Sequence, residues 1–162
     1  MGIEIERKFL VRGEGWRSLV RERRLLVQGY LARAPVAVRV RRNGERASLS
    51  LKEATAAIVR REFEYEIPLA DAEALFTLCL EPPLRKQRYW VPVGAVTFEI
   101  DEFLDENAGL VIAEIELSTA DADFPRPAWL GREVSEDPRF FNVELARRPF
   151  SRWSAEERAQ CC

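Results

Sequence analysis

Eight stretches of this sequence alternate with a period of two between apolar residues and charged or polar ones, and nothing else in the chain constrains the fold as much. The period is that of a β-strand, and the stretches run over residues 3–11, 25–32, 36–42, 46–52, 60–67, 84–91, 96–103 and 110–117. Most of the connections between them are short. Asn43-Gly44, the Pro92 to Gly94 segment and the Asp105 to Gly109 segment carry turn chemistry. Strands joined in this way pair antiparallel with their neighbours.

In a half-exposed strand the charged side faces water, and any one of these strands could be explained so. The set is harder to explain. Glu4, Glu6 and Lys8 share a face, as do Arg39 and Arg41. Lys52 lies on the face of Ser48 and Ser50, and Glu62, Glu64 and Glu66 alternate with Phe63, Tyr65 and Ile67. Lys86 pairs with Arg88, Glu99 with Asp101, and Glu114 with Glu116. The signs are sorted by strand: acidic in the first, basic in the third and fourth, acidic in the fifth, basic in the sixth, acidic in the last two. If the eight strands close into a barrel, these rows meet in one lumen. A charged lumen needs ions or ligands to offset desolvation.

Length and composition narrow the chemistry. The chain has 162 residues, enough for one domain, with about 1–150 as its core and 151–162 as a short C-terminal helix. Charged residues make up 32% but the formal net charge is only -2, which argues against a general nucleic-acid binder. There is no histidine. That removes the commonest general base and the usual zinc ligand, so a metal would sit among oxygen ligands, as Mg²⁺, Mn²⁺ or Ca²⁺ does. The three cysteines fit neither a zinc site nor a disulfide framework, and Cys161-Cys162 does not match a prenylation box. With no apolar run of membrane length and no leader-like start, the expectation is a cytoplasmic protein, monomer or homodimer.

Helices are expected at residues 16–24, at 71–80 with Leu75, Phe76, Leu78 and Cys79 on its apolar side, from an Asp137-Pro138 start to Arg147, and after a Ser154/Glu157 capping box. Carboxylates two apart on one strand face can share a divalent cation, and guanidinium and ammonium groups on facing strands grip phosphate oxygens. A polyphosphate, with its several charges, suits such a set better than a monophosphate. No Walker A loop or dinucleotide glycine fingerprint is present.

The Glu4-Ile5-Glu6-Arg7-Lys8 run resembles the ExExK motif of the CYTH superfamily, the triphosphate tunnel metalloenzymes, in its short bacterial form. Further segments follow in order: Gln28 to Leu31, Val38 to Arg41, Leu51-Lys52, Glu62 to Ile67, Lys86 to Tyr89, Glu99 to Asp101, Ala113 to Leu117 and Trp129 to Val134. The resemblance implies an eight-stranded antiparallel closed β-barrel with flanking helices and a metal-dependent triphosphatase, with inorganic tripolyphosphate cleaved to diphosphate and phosphate. It maps metal binding onto Glu4, Glu6, Asp101, Glu114 and Glu116, with Glu62 and Glu64 as supporting acids. Triphosphate binding falls on Lys8, Arg39, Arg41, Lys52, Lys86 and Arg88. Lys8 and Tyr30 resemble a catalytic pair. The general base is left among that pair, a carboxylate and metal-activated water. Class IV adenylate cyclase and thiamine or nucleoside triphosphatase are rival activities on the same tunnel, and a non-catalytic polyphosphate- or nucleotide-binding module is the rival outside catalysis. The chain departs from the resemblance in two places. Phe140 lacks a hydroxyl that relatives often carry, and no glycine follows Lys52.

Overall fold

The computed structural model describes residues 2–161. Met1 and Cys162, and with Cys162 the Cys161-Cys162 pair, lie outside the described residues. The strands are β1 (Gly2–Val11), β2 (Glu22–Ala32), β3 (Val36–Asn43), β4 (Arg46–Glu53), β5 (Val59–Ile67), β6 (Leu84–Val93), β7 (Val96–Phe103), β8 (Val111–Glu116) and β9 (Leu130–Glu133). The first eight pair antiparallel in the order β5-β4-β3-β2-β6-β7-β8-β1, and a β5–β1 pairing closes the ring. The barrel expected from the alternation is present. All eight expected strands occur within a few residues of their expected bounds.

The turns form where glycine permits them. Asn43 pairs with Arg46 and Val93 with Val96, so the two-residue loops are Gly44-Glu45 and Gly94-Ala95. Gly44 and Gly94 have φ of 62° and 59°, which a side chain disfavours. The first hairpin is thus offset by one residue from the expected Asn43-Gly44.

Closure gives each strand an inner and an outer face, and three clusters cover them. Phe9, Val91, Phe98, Ile100, Ala113 and Ile115 point outward and are roofed by Trp16, Phe124 and Trp129. Val40 and Ala47 point outward beneath α1 (Leu69–Phe76), which supplies Ala72, Leu75 and Phe76. The third cluster lies inside. Leu10, Leu84, Phe103 and Ile112 continue the inner rows of Lys8, Lys86, Asp101 and Glu114, and they meet Leu110, Val134, Phe140, Leu145 and Trp153. The C-terminal segment, with α2 (Asn142–Arg147) and α3 (Ala155–Ala159), therefore plugs one side of one barrel end.

Three expected helices change. Residues 16–24 hold only a 3₁₀ turn at Arg17–Leu19, because β2 begins at Glu22 and takes the remainder into the sheet. Asp137 caps as expected, its side chain accepting from the Arg139 N–H, but the helix is broken at Phe141. Phe141 is extended, at φ -76° and ψ 137°, and this turn buries Phe140 against Trp153 with centroids 5.2 Å apart. The helix expected at 71–80 is α1, which ends at Phe76: Leu78 lies beyond it and is exposed, and Ala72 is its buried contact. The Ser154–Glu157 capping box forms as read.

β9 was not legible in the alternation. It is four residues long and pairs with the β1 edge that β5 leaves free, since β5 pairs only with Gly2 to Ile5. Gly131 makes this approach possible: a Cβ there would lie 2.7 Å from Leu10 O.

Candidate active site

Barrel register decides which charges meet. On β1, Glu6 lies opposite Glu116 and Lys8 opposite Glu114, while Glu4 lies opposite Arg60 of β5. Tyr30 is opposite Arg39, Arg39 opposite Ser50, and Ser50 opposite Glu64. Arg88 is opposite Asp101. Side chains at such paired positions share a face, so one ring of residues surrounds a cavity of about 550 Å³. Its walls include Glu4, Glu6, Lys8, Tyr30, Arg39, Arg41, Lys52, Glu62, Glu64, Arg88, Glu114 and Glu116. Twelve of the fourteen site residues expected from the sequence therefore line one space.

Asp101 and Lys86 do not reach it. Both side chains are completely buried behind the wall. Lys86 Nζ donates to Asp101 Oδ2 at 2.5 Å and to Asn142 Oδ1 at 2.9 Å. Arg88 adds a fork onto the same carboxylate, Nε to Oδ1 at 2.7 Å and Nη2 to Oδ2 at 2.8 Å. Burial opposes the charge on Asp101, but Arg88 and Lys86 outweigh it and hold the carboxyl below its usual range. Burial, helped by Arg88 and Arg41, brings Lys86 down to about 7 despite Asp101.

The cavity-facing groups are paired across the acidic and basic rows. Lys8 Nζ lies 2.6 Å from Glu114 and 3.3 Å from Glu6. Burial disfavours its charge, yet Glu114 and Glu6 raise its pKa above the ordinary lysine value. Arg88 also donates to Glu114, at 3.0 Å. Burial pushes Glu114 up, but Lys8, Arg88 and Lys86 hold it far below the usual carboxylate range. Arg39 spans Glu62 at 3.5 Å and Glu64 at 3.2 Å. Lys52 contacts Glu4.

Arg41 differs from these. Its guanidinium is part-buried and donates, among the described residues, to the neutral Gln28 Oε1 alone, at 3.1 and 2.9 Å. Burial, with repulsion from Arg39 and Arg88, lowers it to about 10. A part-buried guanidinium whose hydrogen-bond partner is an amide and whose neighbours include other cations is short of negative charge. Arg39 Nε and Arg60 Nε are likewise buried donors with no hydrogen-bond partner. The lumen is prepared for an anion.

Some lining residues were not singled out from sequence. Arg60 continues the Glu62–Glu64 row by one alternate position, so the period alone could have found it. Glu99 belonged to a recognised row; burial raises its carboxyl pKa, and it accepts from Trp90 Nε1 at 3.3 Å. Phe141, Asn142 and Glu144 come from the plug, and no strand pattern could place them. Phe140 is fully buried in the plug core, so its missing hydroxyl does not face the lumen. Glu53, next to Lys52, accepts the Arg61 N–H at 2.8 Å, which ties the turn that lacks the expected glycine.

Among the described residues no three carboxylates converge on one point; Lys8, Lys52 and Arg88 stand between them as ion-pair partners. Their chemistry nonetheless suits a hard divalent cation. Glu4, Glu6 and Glu116 are oxygen donors on adjoining strands, and Glu4 Oε2 touches Lys52 without forming a hydrogen bond.

Residues 2–149 match the CYTH domain. The chain belongs to the CYTH domain family. Within that family it is 45% identical over 152 residues to an inorganic triphosphatase of Acetivibrio thermocellus, covering 93% of this chain and 97% of the relative. It is 34% identical over 151 residues to an inorganic triphosphatase of Nitrosomonas europaea, covering 88% and 96%. A crystal structure of an inorganic triphosphatase aligns with a TM-score of 0.62 at 32% identity, covering 88% of this chain and 93% of that one. This CYTH chain contains no helix long and apolar enough to cross a membrane among its described residues.

Proposed function

We propose that this CYTH protein hydrolyses inorganic tripolyphosphate to diphosphate and phosphate with the help of Mg²⁺ or Mn²⁺. One observation carries the reading: a single lumen holds a row of cations, in which Arg41 pairs with the neutral Gln28, opposite a wall of carboxylates from β1 and β8. The relatives named as inorganic triphosphatases support it.

In this reading Arg39, Arg41, Lys52, Arg60 and Arg88 bind the phosphate oxygens and neutralise charge on the leaving diphosphate. Glu4, Glu6, Glu114 and Glu116 would hold the divalent ion, with Glu62 and Glu64 keeping Arg39 in place. Bound there, the ion supplies Lewis-acid stabilisation and lowers the pKa of water. Water oxygen bonds to the terminal phosphorus in line with the bridging oxygen, that bridging bond breaks, and the water proton passes to a nearby base.

Lys8 is a donor in this scheme. Its raised pKa keeps it charged at neutral pH, and burial raises Tyr30 so that it stays a phenol. Tyr30 Oη accepts from Gln28 Nε2 at 3.1 Å, which leaves its own proton to donate toward the lumen. In this reading a lumen carboxylate is the base that takes the water proton. Asp101 and Lys86 shape the wall: their ion pair orients Arg88 from behind.

Phosphate release from tripolyphosphate, ATP and thiamine triphosphate, each with Mg²⁺ or Mn²⁺, tests the proposal. Tripolyphosphate should be the preferred substrate, with activity lost on chelation and in Glu6→Gln. Tripolyphosphate that binds but is not turned over with either metal would leave only the binding-module reading.

A further inference from the structure

Arg60 is held less firmly by oxygen atoms than the lumen cations around it. It sits on the inner row of β5, 9% exposed, opposite Glu4 of β1. Lys8, Arg39, Lys52 and Arg88 each touch a carboxylate, and Arg41 has the amide oxygen of Gln28. Among the described residues, the one hydrogen bond of the Arg60 guanidinium is a long one, from Nη1 to Thr55 O at 3.4 Å. Glu6 Oε1 stands 3.8 Å from Nη2, beyond hydrogen-bond length. Nε is buried without a partner. A guanidinium on its long stem keeps its rotamer freedom until something fixes its plane.

An aromatic ring from the plug supplies that constraint. Arg60 Cζ lies over the Phe141 ring, 5.5 Å from the centroid. This is cation–π distance, and the attraction grows where water is scarce. The ring is itself anchored. Phe141 donates its N–H to Pro138 O at 3.0 Å, and its carbonyl accepts from the Glu144 and Leu145 N–H groups at 3.0 and 2.9 Å. On one side Phe140 packs on Trp153, and on the other Asn142 accepts from Lys86. The extended backbone at Phe141 sends this ring to the lumen while the preceding one enters the plug core.

The Phe141 side chain has no polar atom, so it cannot grip a phosphate itself. We infer that Phe141 is a positioning residue for the triphosphate: its ring holds the Arg60 guanidinium beside Glu6, with open N–H groups turned to the phosphate nearest the β1 carboxylates. The inference rests on the triphosphatase reading of the lumen and deepens it by a residue that acts through another. It also assigns the ring face to Arg60 and not to a nucleobase.

A binding cycle tests this. Tripolyphosphate and ATP are each titrated calorimetrically into wild type, Phe141→Leu, Phe141→Tyr, Arg60→Gln and Phe141→Leu/Arg60→Gln, with chelator present so that no turnover occurs. Hydrolysis with Mn²⁺ is then assayed on the same set. Phe141→Leu keeps an apolar side chain and loses the π-face. It should weaken both ligands about tenfold, the worth of one desolvated cation–π contact, and raise KM more than it lowers kcat. Phe141→Tyr keeps the π-face and should bind within about twofold of wild type. The double variant should bind no more weakly than Arg60→Gln, because the ring has nothing left to hold. Losses that multiply in the double variant would overturn the inference, since Phe141 would then act independently of Arg60. So would a Phe141→Leu protein that binds like wild type, or a loss that Phe141→Tyr fails to restore. A loss confined to ATP would overturn it as well, by making the ring a base platform. A wild type that binds tripolyphosphate without hydrolysing it would sink the triphosphatase reading alone, and the cycle would still decide the role of Phe141. One that does not bind it would sink both.

Discussion

Replacing Asp101 with Asn separates a wall residue from a metal ligand. Asp101 is completely buried and is the carboxylate that both Lys86 and Arg88 touch directly behind the wall. Asn keeps the shape and removes the charge. Breaking a buried ion pair in this way costs about 3–5 kcal/mol. With a urea m-value of about 2 kcal/mol per molar, the unfolding midpoint should fall by roughly 1.5–2.5 M. The penalty should also depend on pH. Lys86 sits at about 7 in the native protein, below its unfolded value, and without Asp101 it moves lower still. A lysine whose folded pKa is depressed makes stability rise with pH between the folded and unfolded values. In the variant that rise starts at a lower pH, so by pH 8 Lys86 is neutral in both proteins and part of the penalty is gone. The loss should be larger at pH 6 than at pH 8. Urea unfolding by far-UV circular dichroism at both pH values measures this, and Asp101→Asn/Lys86→Met should recover part of the loss. Tripolyphosphate hydrolysis, assayed below the unfolding transition, should fall while its dependence on metal concentration stays put. A midpoint within about 0.3 M of wild type, combined with a large rise in the metal concentration needed, would refute the placement of Asp101 behind the wall.

Other consequences are simpler to check. Glu4→Gln and Glu6→Gln should unfold near the wild-type midpoint yet require more metal for activity, seen in a metal titration of phosphate release. Arg41→Gln should weaken tripolyphosphate binding at least tenfold, since a charge-assisted hydrogen bond is worth about 1.5–3 kcal/mol, while removal of a part-buried cation hydrogen-bonded to an amide should leave stability unchanged or raise it. Acid should destabilise the protein through Glu114: its folded pKa is depressed, so the stability it contributes is present above the unfolded carboxylate value of about 4.3 and is lost as pH falls below it. A urea midpoint that stays flat from pH 5 to pH 3 would contradict that. Gly131→Val should cost about 1–3 kcal/mol, because its side chain meets the Leu10 carbonyl and must push β9 off β1.

Much of the barrel was legible because the strand period and the lumen are the same fact. A residue two places along a strand returns to the same face, so Glu4, Glu6 and Lys8 had to share a wall once the barrel closed. Arg39–Arg41 and Glu114–Glu116 follow by the same rule. The period gives a face but not a depth. Asp101 and Lys86 belong to inner rows just as Glu99 and Arg88 do, yet the plug of Phe140, Leu145 and Trp153 packs on the inner residues next to them and takes them out of the lumen. Phe141, Asn142 and Glu144 reach the cavity only because the chain breaks helix at Phe141 and folds across the barrel end. β9 could not be read because a four-residue strand owes its existence to an unpaired edge on β1.

The sequence by itself determined the barrel, the sorting of acidic and basic rows and the absence of any imidazole chemistry, because these depend on alternation and composition alone. Only the tertiary structure decided which charges stand in the lumen and which stand behind it. It also decided that the hydrogen-bond partner of Arg41 is the neutral Gln28 and not a carboxylate. Those depend on register and on what covers each barrel end, and both are set by contacts between residues far apart in the chain.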